Sequence, residues 1–138
     1  MHRLLAPIAV LGALLFAGAG AQAQNLDQVR RGFAQMVYAD SSADINLGQP
    51  QSMLRAVVVL RIRLTDAGHW AAEVMRENDL EPELTHKAVA SVEHLPTPPD
   101  LPPALVDQLH RDGFVEAWLF QNDSHFALKT LALPQRGL

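Results

Sequence analysis

The chain has 138 residues and no cysteine, which excludes disulfides, thiolate metal sites and lipoprotein acylation. Its formal net charge is −4 at pH 7. Loss of the first 23 residues, whose only charged side chain is Arg3, would make it about −5. A chain of that sign is a poor ligand for nucleic acid or an anionic membrane, and the remaining ~115 residues are enough for one small domain with one core.

The N-terminus reads as a leader. Met1-His-Arg gives a positive start, Leu4–Phe16 an apolar run, and Ala21-Gln22-Ala23 a small-x-small cleavage site. This predicts a signal peptide over residues 1–23, a periplasmic product and no membrane span after cleavage. The run is shorter than the ~20 residues that cross a bilayer and carries no ionisable group, which argues against an uncleaved anchor. Residues 24–51 then hold a helix and a polar loop. In Asn25–Asp40, Leu26, Val29, Phe33, Met36 and Val37 share one side at helical spacing, with Asn25 placed to cap. Asp40–Gln51 is polar and contains Gly48 and Pro50.

Residues 52–138 form the predicted domain. In Arg55–Leu64, Ala56, Val58, Leu60, Ile62 and Leu64 face one way and Arg55, Arg61 and Arg63 the other, the period of a half-buried strand. Thr65-Asp66-Ala67-Gly68 supplies a turn, and His69–Asn78 resumes the alternation with Trp70, Ala72 and Val74 inward. A helix follows, with Pro82 suited to its first turn and Asp79, Glu81 and Glu83 to its positive end. Leu84, Ala88, Val92 and Leu95 make its apolar face before a proline-rich exit, Pro96–Pro103. After a short segment, Ala104–Arg111, come the strands Phe114–Phe120 and His125–Leu131, joined by a polar turn. The expected class is α+β: a small antiparallel sheet in the order β-β-α-β-β, one helix across a face and an added N-terminal helix.

The Asp66-x-Gly68 hairpin, a helix with small residues (Ala88-Val-Ala90) at its centre, a proline-rich exit and an apolar strand together resemble the C-terminal domain of TonB-type energy transducers, over about Val57 to Leu131. The chain differs from that family in carrying Arg76-Glu77-Asn78-Asp79 where a Ser-Ser-Gly run is common, Gln49-Pro50 where an aromatic-proline pair would precede the first strand, and no long Pro/Lys/Glu spacer. The resemblance implies a sheet with the first strand central, the post-helix strand beside it and a fourth strand at the rim. It also implies that the domain engages an extended segment of an outer-membrane transporter.

Enzyme chemistry finds little support. Asp79, Glu81 and Glu83 lack the glycine and terminal glutamate of a calcium loop and coincide with a helix start. The histidines at 69, 86, 94, 110 and 125 show no H-x-x-x-H or H-E-x-x-H spacing, and Ser124-His125 has no supporting nucleophile motif. No metal, cofactor or catalytic residue is expected. His125, Ala127, Lys129 and Leu131 are expected to form a partner-binding edge that accepts a peptide by strand addition. Phe114, Trp118 and Phe120 are candidate exposed anchors, or else core residues of a strand covered on both sides. The expected function is therefore an exported protein-binding module. The alternative is a self-associating structural envelope protein, with edges pairing between two copies as a homodimer.

Overall fold

The computed structural model describes residues 25–98 and 100–137. Helix α1 (Leu26–Asp40) leads through a short 3₁₀ turn (Ser42–Asp44) to strands β1 (Ala56–Leu64) and β2 (Trp70–Arg76). Helices α2 (Pro82–Glu93) and α3 (Pro103–Arg111) follow, then strands β3 (Phe114–Phe120) and β4 (Phe126–Leu128). The described residues thus make an α+β fold, with a four-stranded antiparallel sheet in the order β2-β1-β3-β4 and three α-helices. β1 is central, and the leader expected over residues 1–23 lies outside the described residues.

Local chemistry sets the element boundaries. Asn25 and Gln28 form a reciprocal capping box at the start of α1, which satisfies two otherwise orphaned N–H groups. Pro82 opens α2, where a missing N–H costs nothing. Along β1, buried and half-buried residues alternate strictly, so Val58, Leu60 and Ile62 are fully buried and Arg61 and Arg63 look outward. Burying each such aliphatic side chain stabilises the fold by roughly 1.5–3 kcal/mol.

Helix α3 was not foreseen in Ala104–Arg111. The prolines that end one helix also start the next: Pro103 occupies the first turn of α3, and Leu105 and Leu109, one turn apart, are buried. Its C-terminus is closed by Gly113, whose N–H joins that of Asp112 on the carbonyl of Gln108. Gly113 has φ 61°, and a Cβ there would stand 2.0 Å from the carbonyl oxygen of Ile62. Only glycine lets the chain pass this close to β1 on its way into β3.

Both α1 and α2 lie on the same face of the sheet. Phe33 of α1 meets the rings of Trp70, Phe114 and Trp118 edge-on, at 5.4, 5.3 and 6.4 Å between centroids. From α2, the Ser91 hydroxyl accepts the Trp118 indole N–H at 3.0 Å, and Leu84, Ala88 and Val92 complete the core. The N-terminal helix is therefore an integral wall of the core. The inward face of β2 is less covered than its pattern suggests. A bulge at Met75, where Leu60 pairs with Val74 but Val59 pairs with Arg76, turns the strand end out, and Val74 is 41% exposed instead of buried.

Candidate functional site: the edges of the sheet

Phe114, Trp118 and Phe120 are all buried, and none is an exposed anchor. They sit on the face of β3 that packs against α1 and α2, and pair across to Ile62, Val58 and Ala56 of β1. The aromatic run is the middle of the core.

The expected edge over His125–Leu131 also changes. Only Phe126–Leu128 is strand. From Lys129 on the chain is a turn, and the N–H groups of Leu131 and Ala132 close it onto the carbonyl of Leu128. The Lys129 N–H donates to Ala117 and the Gln121 N–H donates to His125, so odd-numbered residues of β3 and β4 face each other. Ala127 is accordingly directed at Leu119, and its side chain is buried, so it offers nothing outward. His125 lies just before β4, with Nδ1 3.1 Å from the Asp123 carboxylate.

The outward groups of β4 belong to Phe126 and Leu128, and both have internal partners. The Asn46 N–H donates to the Phe126 carbonyl at 2.8 Å, where Ile45 forms a parallel bridge, and the Leu128 N–H donates to the Tyr38 hydroxyl at 3.1 Å. Burial raises the Tyr38 phenol above its ordinary value; the Leu128 hydrogen bond opposes this, and the Glu116 charge adds to it. This rim is therefore occupied by the chain's own α1 and the loop after it.

Two stretches of edge stay open among the described residues. On the far side, Thr65 N–H donates to the His69 carbonyl, and the ladder phase leaves Trp70, Ala72 and Val74 with their N–H and C=O groups outward. Trp70 is flanked by the proline-rich passage, since its indole N–H donates to the Pro96 carbonyl and Thr97 bonds the Gly68 carbonyl. Ala72 and Val74 have no strand beside them, and the exposed side chains of Val74 and Met75 lie on opposite faces there. The second open stretch is the start of β3. β4 pairs only with Trp118, Leu119 and Phe120, so Val115 has no strand on its outer side.

Charged groups behave mostly as struts. Glu81 stands at the N-terminus of α2, yet its carboxylate makes no capping bond; it takes the Arg55 guanidinium through Nε at 2.8 and 3.0 Å. Arg55 also donates to the Ser124 hydroxyl at 2.8 Å, which joins β1, α2 and the β3–β4 turn. The Arg55 hydrogen bonds hold the Glu81 carboxyl below the usual glutamate range. Lys87 makes a parallel tie, to Asp44 at 3.0 Å and to the Ser124 carbonyl at 2.9 Å. Among the described residues no three His, Asp or Glu side chains gather as a metal ion would need.

The sequence reading missed Tyr38, Asn46 and Glu116. Glu116 carried a signal: a lone carboxylate inside the apolar run FVEAWLF, at the alternating position it shares with Phe114 and Trp118. It is only 3% exposed. No family model, curated protein or solved structure was found to match this chain.

Proposed function

We propose that this chain is an exported, periplasmic protein-binding module, similar in role to the C-terminal domain of TonB, that captures an extended peptide by strand addition along β2. One observation carries the proposal. Among the described residues Ala72 and Val74 line the β2 rim of the sheet with outward backbone groups and no adjoining strand, whereas the β4 rim is filled by Asn46 and Tyr38. An added strand would gain main-chain hydrogen bonds there and would cover Val74 and Met75, one on each face. Glu73, Arg76 and the bulge at Met75 discourage indiscriminate edge pairing, so the occupant must fit a short, twisted rim with alternating charge. No described helix is long and apolar enough to cross a membrane.

The test is an NMR titration with extended peptides from the N-terminal segments of outer-membrane transporters. Shifts should concentrate on residues 71–76. Ala72→Pro removes an outward N–H without touching the β1 ladder, so it should abolish binding and leave the spectrum of the core intact. Binding unaffected by Ala72→Pro, or shifts centred elsewhere, refutes the proposal. Self-association would show instead as a sedimentation shift towards monomer in the same variant with no peptide present.

A further inference from the structure

The start of β3 carries a second feature, independent of the β2 rim. Where β4 leaves β3, a slot of about 450 Å³ wraps the sheet edge. Its floor is apolar, because the small Ala117 lets it extend across the outer face from Val115 to Val59. Lys129 is tied to the Ala117 carbonyl through its N–H, and the Thr130 N–H donates to Glu116 Oε1 at 3.3 Å.

The polar groups around the slot are incompletely matched. Glu116 Oε1 also accepts the Ala117 N–H at 2.9 Å, standing in for the carbonyl of a missing strand, while Oε2 is buried without a hydrogen bond. Arg30 of α1 holds its guanidinium carbon 5.7 Å from the centre of the Phe114 ring, and its Nε is likewise buried without a partner. Neither Arg30 nor Lys129 belongs to an ion pair among the described residues. The slot thus combines two cations outside any ion pair, the Glu116 carboxylate with one oxygen unbonded, one unpaired stretch of backbone at Val115 and a small apolar floor.

We infer that this slot binds the free C-terminus of a peptide. A chain end supplies a carboxylate for Arg30 and Lys129, an amide N–H for the unbonded Glu116 oxygen, and one side chain for the floor beside Val115 and Val59. A free terminus brings its carboxylate on the backbone itself, so the same chain end can meet the two cations and the unpaired backbone at Val115 together. A bare inorganic anion would meet the two cations but leave the apolar floor and the Val115 backbone without a partner.

The probe is an N-acetylated tripeptide ending in valine, titrated into the isotope-labelled protein beside its C-terminal amide and sodium acetate. The free acid should shift the amides of Val115, Ala117 and Thr130 and bind at least about tenfold more tightly than the amide form, because the carboxylate makes the charge-assisted bonds. Arg30→Gln and Lys129→Gln should each weaken the acid, while Arg31→Gln, one residue along the exposed side of α1, should not. Equal binding of acid and amide, acetate matching the peptide at the same amides, or no shift at Val115 and Ala117 would each overturn the inference. Circular dichroism of the variants separates lost binding from lost fold.

Discussion

The Tyr38 hydroxyl accepts the Leu128 N–H at 3.1 Å, so a side chain from the first helix closes the outer rim of the last strand, 90 residues along the chain. That contact, with the Asn46 bond to Phe126, turns an apparent free edge into an internal seam. An edge strand left with unpaired N–H and C=O groups invites pairing with other chains, and here the chain covers its own.

Tyr38→Phe keeps the ring and deletes the acceptor. The variant should lose about 1–3 kcal/mol of stability, the cost of leaving a part-buried N–H unsatisfied. Hydrogen exchange at Leu128 should speed up well beyond that at Leu119, which sits in the middle of the β3 ladder. Unchanged exchange at Leu128 would mean that another group protects that edge.

Gly113 and Gly68 both have positive φ, at 61° and 83°, but only the first is crowded. Gly68→Ala meets open space and should cost about 1–2 kcal/mol from the left-handed backbone alone. Gly113→Ala drives its Cβ onto the Ile62 carbonyl and should cost at least about 3 kcal/mol, or prevent folding. Urea denaturation of the pair ranks them; equal midpoints would show that the α3–β3 junction can move away from β1.

Glu81 gives the fold a predictable acid sensitivity. Its carboxyl is held below the ordinary glutamate value of about 4.3 by Arg55, so the ion pair's contribution is fully present above that value and fades as pH falls through the lower folded-state value. Compared with Glu81→Gln, the natural chain should be more stable at about pH 7, and the gap should shrink towards about pH 3. Denaturant midpoints at the two pH values measure it. A gap that does not narrow would show that the Arg55 contact adds no charge-dependent stability.

The sequence by itself determined the local elements. Strict alternation in Ala56–Leu64 gave the phase of β1, the Asn25 cap and five spaced apolar residues gave α1, and Pro82 with Leu84, Ala88 and Val92 gave α2, because each rests on contacts within a few residues. Its failures have two separate causes. α3 was hidden because prolines terminate and initiate helices with the same residue type, and Pro103 did the second. The bulge that exposes Val74 follows from how β2 registers against β1, which periodicity cannot reveal.

Only the tertiary structure decided which edges are open. Whether Leu128 or Val74 presents free backbone groups depends on Tyr38 and Asn46 arriving from the other end of the chain, and on where Lys129 leaves β3. The same long-range placement sets Arg30 over Phe114 beside Glu116, residues separated by most of the domain in sequence. Hydrogen-bond satisfaction at a sheet rim is a property of the assembled neighbours, whereas strand and helix formation are governed by residues a turn or two apart.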